Sequence, residues 1–258
     1  MRNTLRTPLL SFSALAAAML LHAATPQAPD WAQPGSATHQ QVPPPAGFHR
    51  PTVNFDEPIG IFQGQSDVGG PLVPGSASYD AETGSYTIDS AGYNIWYFRD
   101  EFRYLWKRME GDVSLAADIE FPNPDGYGDR KVVLIFRQEL DDDAKEIMVA
   151  LHGVGLVHLA TRPDKGADIY ENLRVEASAS NVPAKGKPVR LGIQKKGDQF
   201  TLWATENGGP LKQVGKPAEL SLDGPFYVGI AFTSHLPVTS DTAVVSNVLL
   251  ENEAGKVK

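Results

Sequence analysis

The sequence predicts an all-β chain folded as a single two-sheet antiparallel β-sandwich domain. Segments of period-2 alternation, turn signals at close intervals between them, and the lack of any convincing helical periodicity carry this expectation. The chain has 258 residues, 41% of them hydrophobic and 21% charged, which is enough to build a sizeable core. No identical motif recurs at a fixed period, which argues against a propeller.

The first element is a leader. Arg2 and Arg6 precede the mostly apolar run Leu9–Leu21 and the small residues Ala23-Ala24-Thr25. This three-part pattern predicts a signal peptide over residues 1–24, cleaved near Ala23 or Ala24. A helix of that apolar run would span about 20 Å against a bilayer core of about 30 Å, too short for an anchor. No later run is long enough to span a membrane, so the mature chain is expected to be secreted or periplasmic. Losing Arg2 and Arg6 takes the net charge from −8 to −10. Residues 25–52 read as a Pro-rich linker: seven prolines fall between Pro26 and Pro51, and Pro43-Pro44-Pro45 favours an extended chain. His39 and His49 lie in this segment and read as solvated residues.

The domain is expected over residues 53–258. Its strand candidates, in order, are Tyr86–Asp89, Asn94–Arg99, Phe102–Lys107, Asp112–Phe121, Lys131–Leu140 and Lys145–His152. Leu156–Thr161, Ile169–Glu176, Arg190–Lys196, Gln199–Thr205, Phe226–Thr233 and Ala243–Leu250 follow. In Asp112–Phe121, Val113, Leu115, Ala117, Ile119 and Phe121 point one way and Ser114, Ala116, Asp118 and Glu120 the other. Ile147, Val149 and Leu151 repeat this, as do Leu191 and Ile193. Glu82-Thr83-Gly84, Pro124-Asp125-Gly126, Lys196-Gly197-Asp198, Asn207-Gly208-Gly209-Pro210 and Asp223-Gly224-Pro225 supply turns.

Composition removes several function classes. With 23 Lys+Arg against 31 Asp+Glu and no basic stripe, nucleic acid is not an expected partner. The chain has no cysteine, which excludes disulfides, thiolate metal sites and thiol catalysis. Nucleophile-elbow, phosphate-loop, dinucleotide and His-Glu-x-x-His motifs are all missing.

An ordered set of motifs points to a family. It comprises Pro74-Gly75-Ser76-Ala77-Ser78-Tyr79-Asp80, Asn94-Ile95-Trp96, Glu110-Gly111-Asp112, Leu134–Asp141 and Ala150-Leu151-His152-Gly153. Pro225–His235 and Ser246-Asn247-Val248 complete it. From about Gly70 to Glu251 the chain resembles the bacterial concanavalin A-like lectin/glucanase domains that often precede TolB-type propeller repeats. The resemblance implies a jelly-roll of two curved antiparallel sheets and, for most members, no assigned activity. No propeller follows here, because the sequence stops at Lys258.

In such a sandwich the face between the sheets is apolar and an outer face can hold polar groups above a groove. Strand parity assigns Asp118 with Glu120, Arg137 with Glu139, Glu146 with His152, and His158 with Arg162 to polar faces. Lys131–Leu140 is apolar at both parities and is expected to be covered on both faces. A buried Arg137 there would need a carboxylate or carbonyl partner. His152 and His158 flank the turn Gly153-Val154-Gly155, which brings them together for sugar hydrogen bonding, acid–base work or a metal pair. A metal would need a third ligand from Glu146 or Glu139. His235 reads as a structural loop residue.

Asp118 and Glu120 share a strand face about 6.5 Å apart at Cα, within reach of paired-carboxylate hydrolysis. The Glu-x-Asp-x-x-Glu pattern of laminarinase-type jelly-rolls is missing, however. Trp96 and Phe98, then Phe102, Tyr104 and Trp106, pair up on strand faces, with Trp96 and Trp106 as candidates to stack on sugar rings. Arg99, Arg103, Lys107 and Arg108 form the clearest local basic surface. Asp141-Asp142-Asp143 reads as an exposed acidic turn, with a structural calcium ion as the rarer alternative; no other cofactor is expected.

Three functions remain open. The first is a carbohydrate-binding, lectin-like domain for a polysaccharide or oligosaccharide, using Asp118, Arg137, Glu146, His152, His158, Trp96 and Trp106. The second is a glycoside hydrolase or polysaccharide lyase with Glu120, Glu139 or Glu146 as carboxylate and His152 or His158 as proton shuttle. The third is a structural or interaction domain without a small ligand. The fold hosts all three, so only the site can separate them.

Overall fold

A computed structural model describes residue 45 and residues 49–205 and 209–257. The expected signal peptide and most of the Pro-rich linker lie outside the described residues. The strands in chain order are β1 (Val53–Phe55), β2 (Gly64–Val68), β3 (Ser76–Asp80), β4 (Ser85–Ser90), β5 (Ile95–Trp96) and β6 (Arg99–Asp100). They continue with β7 (Phe102–Met109), β8 (Val113–Glu120), β9 (Lys131–Arg137), β10 (Glu146–His152), β11 (Val157–Arg162) and β12 (Tyr170–Val175). The last are β13 (Val189–Lys196), β14 (Gln199–Thr205), β15 (Leu211–Glu219), β16 (Phe226–Thr233) and β17 (Asp241–Glu251).

Two antiparallel sheets form the sandwich. An eight-stranded sheet runs β1-β2-β7-β16-β9-β10-β11-β12, and a seven-stranded sheet runs β15-β14-β13-β8-β17-β4-β3. Alternation sends Val113, Leu115, Ala117 and Ile119 of β8 into the space between them, against Val132, Leu134 and Phe136 of β9 and Ile147, Val149 and Leu151 of β10. Each such side chain contributes about 1.5–3 kcal/mol by leaving water. Phe136 meets Phe200 of the opposite sheet edge-on at 5.2 Å.

A second apolar cluster lies on the outer face of the eight-stranded sheet. It holds Phe102, Tyr104, Val133, Ile135, Met148, Ala150 and Ala160, and Ile95 closes over them. Ile95 belongs to a strap, residues 91–100, whose centre is the small β5–β6 hairpin. This cover explains why β9 is apolar at both parities. The strap also corrects an expectation: Asn94–Arg99 is not one strand, because the chain reverses at Tyr97, with φ of 56°, and pairs Trp96 with Arg99. Trp96 and Phe98 therefore share no strand face.

The strap is latched by charge. Asp100 accepts hydrogen bonds from Arg137 and from both terminal nitrogens of Arg162, and Glu146 pairs with the same two arginines. All four side chains are fully buried. Arg137 thus has the carboxylate partners that a covered strand demands.

Strands β1, β2, β3 and β15 carry no clear period-2 signal. Gly215 and Pro217 interrupt β15, and its place at a sheet edge is where a proline leaves no neighbour without a donor. The end of the Pro-rich segment lies against the domain, with the His49 side chain still exposed as expected. His49 Nδ1 lies 2.9 Å from Asp142, Arg50 pairs with Glu101, and Thr52 Oγ1 donates to Leu140 O. Half of the expected basic surface is neutralised: Arg99 pairs with Asp142 and Asp143, and Arg103 is buried against Asp67, while Lys107 and Arg108 form no ion pair among the described residues and line a separate hollow.

Candidate functional site

Beyond the end of the strap, the outer face of the eight-stranded sheet opens into a cavity of about 360 Å³. Its floor is built by strand register. His152, the last residue of β10, is the partner of Lys131, the first of β9, and His158 of β11 is the partner of Arg174 on β12. The turn between the histidines closes through Gly155 N–H donating to His152 O, with Gly155 at φ of 82°. A side chain there would be strained, and its Cβ would lie 2.7 Å from Ser178 O. The two imidazoles consequently meet edge to face with ring centres 5.0 Å apart, and half-buried Trp96 from the strap lies 5.4 Å from His158. His235, a left-handed residue at φ of 64° beyond β16, lines the far wall and stacks on Tyr127 at 5.7 Å. Asn94, Asp129 and Glu171 complete the lining.

Electrostatics set the protonation of this site. Burial pushes His152 down to about 4, although Asp129 Oδ1 at 3.6 Å pulls the other way. Burial, aided by His152 and Lys131, holds His158 well below its ordinary value. At neutral pH each ring is therefore uncharged, with one N–H donor and one acceptor nitrogen. Both ring nitrogens of His152 and Nε2 of His158 are buried and meet no hydrogen-bond partner among the described residues. Burial also lowers the Lys131 ammonium to about 8, and its Nζ donates to Asn94 Oδ1 at 2.7 Å.

The structure brings Trp96, His152 and His158 into this cavity and leaves the other expected site residues outside it. Glu146 and Arg137 lie on the same sheet face but are sealed beneath the strap. Trp106 is buried at the β2–β7–β16 end, where Nε1 donates to Ser66 Oγ at 2.9 Å and the ring meets Tyr227. Glu139 lies past the end of β9 and pairs with the exposed Lys165. Asp118 and Glu120 occupy the outer face of the other sheet, because β8 belongs there: Asp118 accepts from Arg190 and Asn247, and Glu120 from Gly186 N–H. Parity gives the face of a strand but not which sheet holds it. Asp141, Asp142 and Asp143 are neutralised by Lys165, Arg99 and His49.

Sequence reasoning missed Asn94, Asp129, Lys131, Glu171 and Arg174, and placed His235 in a loop without a role. Lys131 was within reach, since it shares the parity of Val133, Ile135 and Arg137. Among the described residues no group of three or more His, Asp or Glu side chains is arranged to hold a metal ion. A larger hollow of about 740 Å³, lined by Gln63, Lys107, Arg108, Glu110 and Asn252, presents no buried polar atom without a partner. A third hollow, of about 490 Å³, is lined by Arg130, whose Nε is also buried without a partner, but the smaller cavity gathers histidines, acids and Lys131 in one lining.

These features define a two-sheet antiparallel β-sandwich with a polar cavity on the outer face of its eight-stranded sheet. No family model matches the chain, and no curated protein matches it. Among solved structures it is similar to a functionally unknown protein from Saccharomyces cerevisiae, with 13% identity and a TM-score of 0.52, over 70% of this chain and 93% of that one. It is also similar to the GH43 protein BlXynB from Bacillus licheniformis, with 10% identity and a TM-score of 0.52, over 78% of this chain but only 39% of that one. The carbohydrate-binding module CBM66 from Bacillus subtilis follows with 17% identity and a TM-score of 0.46, over 69% and 92%. The likeness is one of fold. No helix among the described residues is long and apolar enough to cross a membrane.

Proposed function

We propose that the protein is an exported carbohydrate-binding domain whose ligand site is the cavity of His152, His158 and Trp96. Two buried imidazole nitrogens of the lining histidines, Nε2 of His152 and Nε2 of His158, meet no hydrogen-bond partner among the described residues and carry this reading. Buried polar groups normally find a hydrogen bond, and leaving one unmet costs about 1–3 kcal/mol. A sugar hydroxyl both donates and accepts, so it matches a neutral imidazole in either role. Trp96 beside them supplies an apolar ring face of the kind that suits a pyranose ring. The fold likeness to the GH43 protein agrees with a carbohydrate ligand.

Binding is ranked ahead of hydrolysis because none of the three glutamates expected as the hydrolytic carboxylate reaches the cavity, although Asp129 and Glu171 lie 3.6 and 3.8 Å from His152 and His158. Glu120, Glu139 and Glu146 are on another sheet, past a strand end or sealed, so none faces the histidines. A glycan-array screen on the full chain, run beside a reducing-sugar assay on the same polysaccharides, tests the reading. Saturable binding without product release is expected, and loss of that binding in His152→Ala would place it at this cavity. Release of reducing ends would overturn the binding-only reading.

A further inference from the structure

Lys131 is a buried cation whose nitrogen meets no carboxylate directly. Its side chain is covered by the strap and by β10, and its nitrogen meets the neutral oxygen of Asn94 at 2.7 Å. It takes part in none of the ion pairs formed among the described residues. Arginines buried to a similar degree behave differently: Arg137, Arg162, Arg103 and Arg130 each hold a carboxylate. Burying an unpaired charge is costly, and such charges normally find a partner. Lys131 lines the open cavity, so the partner can come from outside the chain. Around it stand the uncharged His152 and His158, which add N–H donors, while the acids of the lining lie against other groups: Asp129 at 3.6 Å from His152, and Glu171 at 3.8 Å from His158. Arg174 is already engaged by Glu171 at 2.9 Å.

We infer that the cavity selects an acidic sugar unit carrying one negative charge, on a carboxylate or a sulfate ester, which ion-pairs with Lys131 while its hydroxyls meet the histidines. This rests on the carbohydrate reading above and narrows it to a ligand class. The geometry asks for a single anionic group beside a ring that stacks on Trp96, because Asp129 and Asp100 act on the Lys131 charge without forming an ion pair with it. A neutral glycan would satisfy the imidazoles and leave the ammonium with Asn94 as its hydrogen-bond partner.

The test titrates the full chain calorimetrically at pH 7 with matched pairs. Oligomers of galacturonate, guluronate, mannuronate and glucuronate are each compared with their carboxyl-reduced form, a sulfated galactan oligomer is compared with its desulfated form, and sodium acetate is a further titrant. At least one acidic member should bind tenfold or more tightly than its neutral partner, and the arm in which it falls identifies carboxylate or sulfate. Lys131→Met should remove that preference, so that acidic and neutral members of each pair bind within about twofold of one another. If Lys131→Met does not fold by circular dichroism, the wild-type chain gives a second measure. Affinity for the acidic oligomer should fall about tenfold from pH 7 to pH 9 as Lys131 loses its proton, with the neutral partner unmoved. Asp129, Asp100, Glu171 and Arg174 are the other charged groups facing it, and carboxylates and guanidiniums keep their charge over that range. Equal binding of acidic and neutral members, sensitive to His152→Ala, would overturn the inference and leave the carbohydrate reading standing. Binding of acetate with no glycan of either kind would overturn the carbohydrate reading itself, and the acidic-sugar inference with it.

Discussion

Arg162 grips Asp100 with both prongs of its guanidinium, Nη1 and Nη2 each 2.7 Å from a different carboxylate oxygen, and neither side chain touches water. Arg162 is part of the sheet and Asp100 is part of the strap, so this pair ties the cover to the face it covers. The same strap carries Asn94 and Trp96 to the cavity. Sheet stability and site geometry are therefore coupled through this fastening, which acts beside the Arg99 ion pairs and the Asn94–Lys131 hydrogen bond.

Asp100→Ala should cost about 3–5 kcal/mol, because it leaves Arg137 and Arg162 with only Glu146 for a carboxylate. Urea unfolding followed by fluorescence measures this. The same variant should weaken glycan binding, since Trp96 and Asn94 lose their tether. A loss under about 1 kcal/mol would mean that the strap is held by Ile95 and its apolar neighbours alone.

Within the cavity, His152→Ala and Trp96→Ala should each weaken a bound glycan roughly tenfold, equivalent to about 1.4 kcal/mol. The fold should survive in both, because neither residue belongs to the core between the sheets. Glu146→Ala should behave in the opposite way, losing stability first through its buried arginines. Calorimetric titration beside thermal unfolding separates the two patterns. Unchanged affinity in the first two variants would move the site away from this cavity.

Stability should depend on pH with opposing contributions. Burial lowers His152 from its ordinary 6.5 to about 4, so the unfolded chain takes up a proton over that window while the folded chain resists it. Stability from this residue is complete above pH 6.5 and is lost as pH falls towards 4, by up to about 1.4 kcal/mol per unit. His158 acts in the same direction. Glu101 is raised from 4.5 to about 7 by burial, against the pull of Arg50, so falling pH adds stability between those values. Denaturation midpoints from pH 7 to 4.5 should therefore slope less steeply in His152→Gln and more steeply in Glu101→Gln. Identical slopes in all three proteins would contradict the assigned protonation states.

For the leader, expression of the full sequence in a Gram-negative host should yield protein outside the cytoplasm that begins near Ala24 or Thr25. Intact-mass measurement reads this directly. Recovery from the envelope with Met1 still attached would refute cleavage.

The strand pattern was legible because alternation is a local property. Val113, Leu115, Ala117 and Ile119 face inward for the same reason in the sequence and in the sheet: neighbouring residues on a strand point to opposite sides. The His152–His158 hairpin was legible too, since Gly153-Val154-Gly155 closes within a few residues. Local pattern also implied that β9 was covered twice and that Arg137 needed an anion. Which residues would cover it could not be read, because Ile95 and Asp100 reach that face only through the turn at Tyr97. Asp118 and Glu120 had the right parity but sit on the other sheet, a choice set by β8 pairing with β13 and β17. The setting of Lys131 is the purest tertiary result: a lysine at the start of a strand normally reaches water, and only the strap, laid across the sheet from far along the chain, takes the water away and gives its nitrogen the neutral oxygen of Asn94, with Asp100 and Asp129 acting on it as nearby charges.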